Sequence, residues 1–151
     1  MKKIGFEFQE TLSGTFERVG KNEPPRPFRL EAHMVASDAV RTLHDKRVAI
    51  TGTLDAEGFA EDVPVEGNLE LAPVSRRVIR YEFCFVGNDG IPYRFVGQKD
   101  IRLSDLLGSL TKLEGIIHDM DGREVARAHL AFHLGSDLIP FLLSIRPAHA
   151  N

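Results

Sequence analysis

Tryptophan is missing from this chain, and cysteine occurs once, at Cys84. A single thiol permits no disulfide within the chain, so the fold must rest on its core and its backbone ladders. No run approaches the roughly 18 apolar residues of a membrane-spanning helix. No block of Lys and Arg suits an anionic membrane surface. The net charge is −3 and the isoelectric point is near 6.1, whereas nucleic-acid binders usually carry a basic face and values above about 9. Met1-Lys2-Lys3-Ile4-Gly5-Phe6-Glu7 alternates with charge and lacks the apolar segment of a secretory signal. The expected location is therefore cytoplasmic. No glycine-rich phosphate loop opens a helix. Ser13, Ser109 and Ser136 lack the strand-to-helix elbow that exposes a nucleophile.

What remains is ordinary in amount and informative in order. The 151 residues suit a single domain spanning 1–151 with a core large enough to need no staple. Apolar residues recur with period 2, separated by turn signals, through most of the chain. The pattern predicts strands at about 4–19, 28–35, 47–54, 62–71, 77–86, 91–102, 110–118 and 123–134. Gly87-Asn88-Asp89-Gly90 is the strongest hairpin signal. Ser37-Asp38 looks like the cap of a short helical turn through Leu43. After Gly135, Leu138, Phe141, Leu142 and Ile145 form one stripe at helical spacing, which predicts a short C-terminal helix. Short loops without crossover helices make a meander. Eight strands predict an all-β, antiparallel, lipocalin-like barrel, just filled by side chains or holding one small ligand. An open two-sheet sandwich is the alternative. Closure between the first and last strands is not legible.

Gly14, Gly52, Gly67, Gly97 and Gly115 each stand two after an apolar residue and on the apolar phase. Glycine there weakens a strand but permits a tight bend, the device by which barrels are curved.

The usual chemical signals are weak. His129 and His133 share the i, i+4 spacing of helical zinc ligands. On a strand that spacing puts them roughly 13 Å apart, too far to share a metal. Glu61-Asp62 and the pair Asp119 and Asp121 read as solvated turn residues. Asp119-Met120-Asp121-Gly122 resembles the opening of a calcium loop, but no Glu closes it. Cys84 reads as a small strand residue, and a nucleophilic role needs a base that sequence does not reveal.

The apolar phase is the better guide. Its polar exceptions are Glu10, Lys99, Thr111 and the phenols of Tyr81 and Tyr93. A buried charge must be paired or costs several kcal/mol. Antiparallel strands with their glycines at one level would bring Glu10 and Lys99 to the same end of the barrel. There they either form an ion pair that plugs the mouth or meet the polar group of an apolar ligand. Glu10, Tyr81, Tyr93 and Lys99 are the candidate ligand-binding residues. No residue is assigned as catalytic or metal-binding, and no cofactor is expected.

Tyr93-Arg94-Phe95-Val96-Gly97-Gln98-Lys99-Asp100-Ile101, Glu10-Thr11-Leu12-Ser13-Gly14 and Phe141-Leu142-Leu143-Ser144-Ile145-Arg146 together resemble a bacterial domain associated with sterol-oxidase-like flavoproteins of the glucose–methanol–choline class. The resemblance spans nearly the whole chain. It implies work near lipid- or sterol-like molecules and a flavoprotein oxidoreductase as partner. It supplies no catalytic residues, and the flavin-binding Gly-x-Gly-x-x-Gly of those oxidases is absent. The expected function is a non-catalytic binding or accessory module for a small hydrophobic ligand. The alternatives are a small-barrel isomerase or cyclase with Glu10 or Lys99 as acid or base, and a filled barrel that assembles through an exposed face, as in a homo-oligomer.

Overall fold

The computed structural model describes residues 6–36, 47–71, 78–100, 104 and 112–133. Eight strands run in chain order: β1 Phe6–Arg18, β2 Arg26–Ala36, β3 Arg47–Ala56, β4 Ala60–Leu71, β5 Val78–Val86, β6 Pro92–Asp100, β7 Lys112–His118 and β8 Glu124–His133. Every neighbouring pair is antiparallel, and the sheet closes in sequence order. The seam that sequence left open is formed by β1 and β8, paired from Thr11 opposite His133 to Arg18 opposite Ala126. The predicted turn at 38–43 and the helical stripe at 138–145 lie outside the described residues.

Closure follows from alternation. β7 is buried at every second residue, at Leu113, Gly115 and Ile117. A one-residue slip would turn such a set to solvent, so the buried phase pins the register. The β3–β4 register shifts between Leu54 and Ala56, where Asp62 takes a positive φ of 54°. Asp tolerates this region better than most residues, and such bulges bend a strand.

At several of the glycines neighbouring atoms leave no room for a side chain. An added Cβ at Gly52 would collide with the Glu31 carbonyl oxygen, and one at Gly67 with that of Glu82. Gly97 and Gly115 are partners across β6 and β7, and the Phe95 ring occupies the space a side chain on either would need.

The two ends of the barrel differ. One end carries the β1–β2, β3–β4, β5–β6 and β7–β8 turns. Gly90 and Gly122, both at φ +80°, supply the left-handed residue that such tight turns require. At the other end β2, β4 and β6 finish and β3, β5 and β7 begin. The short-turn half is filled by aromatic rings. Phe83 stacks on Phe95 at 4.6 Å and 11°, and Phe28 lies 6.0 Å from Phe95. Phe16, Phe59, Phe85 and Tyr93 continue the cluster. Toward the other end the described buried residues are Tyr81 and a mainly aliphatic set that includes Leu12, Leu30, Met34, Ile50, Leu69 and Ile79.

Candidate functional site

Glu10 and Lys99 are the buried charged residues of the described core, at 3% and 2% exposure. Glu10 lies on β1, beside Ala32 of β2. Lys99 lies on β6, beside Ile79 of β5. Tyr81 lies on β5, the strand diametrically opposite β1 in the eight-strand ring, and is paired with Gly97. Lys99 follows Gly97 by two residues, so its side chain points into the same lumen. Its Nζ stands 5.4 Å from the centroid of the Tyr81 ring. Three of the four sequence candidates thus converge across the barrel, on the side away from the short turns.

Their electrostatics are set by burial. Desolvation pushes the Glu10 carboxyl up to about 7, with the Lys99 charge and the Tyr81 hydroxyl pulling the other way. Desolvation pulls the Lys99 ammonium down to about 7, opposed by Glu10. The Tyr81 phenol is raised well above its ordinary value, first by burial and then by the Glu10 charge. Each opposite charge favours ionisation, yet removal from water outweighs it. The Tyr81 hydroxyl acts on the carboxylate strongly enough to shift both groups. Even so, neither Oε1 nor Oε2 of Glu10 has a partner at full hydrogen-bond geometry. A buried carboxylate holding its charge normally accepts several such bonds.

Tyr93, the fourth candidate, belongs elsewhere. It lies near the start of β6, at the short-turn end, where its hydroxyl donates to Asp89 Oδ2 at 2.7 Å. Burial, and after it that bond, raise its phenol to about 12. It meets the Phe59 ring edge-on at 4.8 Å. Phe59 is the residue that sequence reasoning missed. It sits in the β3–β4 turn, where alternation gives no inward or outward sign, yet it is 9% exposed and packs against Phe16, Phe85 and Tyr93. Arg18 was missed too, although its even number continues the inner phase of Leu12 and Phe16. Its guanidinium lies 5.3 Å over the Phe59 ring, and Nη2 donates to the Gly58 carbonyl.

The remaining chemical candidates stay apart. The His129 side chain is 54% exposed, on the outer face beside Glu114 at 3.6 Å. Cys84 is exposed. Asp119 folds back on its own turn, accepting from the Asp121 and Arg123 amides at 2.9 Å each. Among the described residues no group of three His, Cys, Asp or Glu side chains could hold a metal ion, and no helix is long and apolar enough to cross a membrane. Thr111 lies outside the described residues.

No protein-family model, no curated protein and no solved structure matches this chain. The site must be read from its own chemistry.

Proposed function

We propose that the barrel is a non-catalytic binding module for a small, mostly apolar, lipid- or sterol-like ligand whose one polar group meets Glu10, Tyr81 and Lys99. The observation that carries this reading is the buried Glu10 carboxylate, which feels the Tyr81 hydroxyl and the Lys99 charge yet has no partner at full hydrogen-bond geometry on either oxygen. A buried polar group without partners is costly, and a ligand hydroxyl or carboxylic acid would supply the missing donor. The aliphatic wall around Glu10, Tyr81 and Lys99 suits the rest of such a molecule, since ligand sites are mostly apolar with a few placed polar groups. The resemblance to domains that accompany sterol-oxidase-like flavoproteins favours lipid chemistry and an oxidoreductase of that class as partner.

The test is a titration with two fluorescent probes, cis-parinarate for fatty acids and dehydroergosterol for sterols. Saturable binding of one, weakened in Lys99→Met, is expected. Binding of neither, or binding indifferent to both Lys99→Met and Glu10→Leu, contradicts the proposal.

One observation favours a second reading. Glu10 and Lys99 are both displaced toward neutrality, where acid–base catalysts work best. An isomerase or cyclase would exchange solvent deuterium into its bound substrate and lose that exchange in Glu10→Gln. A module that only binds would show none.

A further inference from the structure

The short-turn end holds a second concave surface, remote from Glu10 and Lys99. It is a cleft of about 610 Å³ between the turns, lined by Arg18, Lys21, Phe59, Tyr93 and Arg123 among others. That volume falls within the usual range for small-molecule sites. Phe59 and Tyr93 belong to its lining, their rings meet at 4.8 Å, and the Arg18 guanidinium lies over Phe59.

The charges here balance in number but not in availability. Three carboxylates line the cleft, and each is already engaged. Asp89 accepts from the Ile91 amide at 2.9 Å and from the Tyr93 hydroxyl at 2.7 Å. These two bonds hold its carboxyl below the ordinary value. Asp119 caps its own turn. Glu124 is bound by Arg127.

The cations are less committed. Arg18 spends Nη2 on Gly58, but its Nε is buried without a hydrogen-bond partner. The side chains of Lys21 and Arg123 make no hydrogen bond or ion pair among the described residues. A cleft with aromatic lining, engaged acids and spare cationic donors selects for an anion on a flat apolar body. Arginine donors match carboxylate and phosphate oxygens, and ring faces suit an aromatic group.

We infer that the cleft between the short turns binds a small aryl anion, an aromatic carboxylate or phosphate ester, with its ring against Phe59 and Tyr93 and its oxygens on Arg18, Lys21 and Arg123. This site does not depend on the lumen reading, and either can fail alone.

The experiment titrates the full chain with phenyl phosphate, benzoate, inorganic phosphate and benzyl alcohol, following backbone and ring resonances by NMR. At least one aryl anion should bind saturably, with shifts centred on Gly58, Phe59 and Asn88. Inorganic phosphate and benzyl alcohol should bind much more weakly or not at all. Arg123→Ala should weaken the aryl anion by roughly tenfold or more, as expected for a lost charge-assisted hydrogen bond. Arg18→Gln should do the same if it folds. Arg80→Gln, an exposed position on β5 outside the cleft's lining, should bind like the wild type. The inference is overturned by any of four results: no saturable aryl-anion binding, inorganic phosphate binding as tightly, Arg123→Ala binding unchanged, or binding lost in Arg80→Gln.

Discussion

Lys99 holds its ammonium 5.4 Å from the centroid of the Tyr81 ring, inside a barrel whose other described core residues are, Glu10 apart, uncharged. Gly97 makes this relationship accessible, since it is both the partner of Tyr81 across β5 and β6 and the residue two before Lys99. A cation over an aromatic face gains roughly 2 kcal/mol when desolvated. That does not offset removal from water, which is why the ammonium is pulled down rather than up. The pair with Glu10 must supply the rest, or a ligand must.

These two accounts separate in a double-mutant cycle of Glu10→Leu and Lys99→Met. If the residues serve chiefly as a structural pair, each single change strands a buried partner at about 3–5 kcal/mol, and the double variant regains most of it. Coupling above about 1 kcal/mol in chemical denaturation marks contact. A ligand-facing pair couples weakly in the empty protein and more strongly when a ligand is present. Negligible coupling in both conditions would mean that the two side chains do not act together.

The same groups predict a pH dependence. Glu10 rises from 4.5 to about 7 on folding. The folded state then binds more protons than the unfolded state, and its contribution is fully present below 4.5 and lost as pH climbs to 7. Lys99 falls from 10.5 to about 7. Its contribution is present above 10.5 and lost as pH falls to 7. Stability should therefore dip near neutrality, relative to the Glu10→Leu, Lys99→Met double variant, by an amount on the order of a few kcal/mol. Parallel profiles for the two proteins would refute the shifts.

Gly67→Val should be poorly tolerated. Its Cβ would meet the Glu82 carbonyl and approach the Phe83 Cα at 2.5 Å, so the strand must move. Overpacking usually costs about 1–3 kcal/mol, and collision with backbone should reach the upper end. A melting temperature at or above that of the wild type would contradict the bend.

Phe95 and Gly115 make a compensating pair. Phe95→Ala should cost roughly 3–5 kcal/mol, as large core truncations do. Gly115→Ala should be damaging in the wild type, because the Phe95 ring occupies the space, and nearly neutral in Phe95→Ala. Equal effects in both backgrounds, measured by chemical denaturation, would place the ring elsewhere.

The strands were legible because each buries every second residue, and because Gly-rich turns punctuate them. Glu10 and Lys99 were legible as charges on the apolar phase. Phase tells inward from outward, but it does not tell which inward residues share a level. Tyr93 was therefore grouped with Lys99, although they stand six positions apart on β6 and the strand carries them toward opposite ends. Phe59 escaped because a turn has no phase. Closure escaped because β1 and β8 are joined by pairing between the ends of the described chain, and no local pattern encodes that contact. The cleft at the short turns draws on residues from several loops and leaves no motif in any one of them.

The central claim is that the Glu10–Tyr81–Lys99 end of the lumen receives an apolar ligand. Native mass spectrometry of the protein purified from its own host tests it most directly. The wild type should carry a bound mass of a few hundred daltons that organic solvent extracts, and the Glu10→Leu, Lys99→Met double variant, folded by circular dichroism, should be bare. A wild type that is itself bare and takes up neither fatty acid nor sterol, or a double variant carrying the same bound mass, would contradict it.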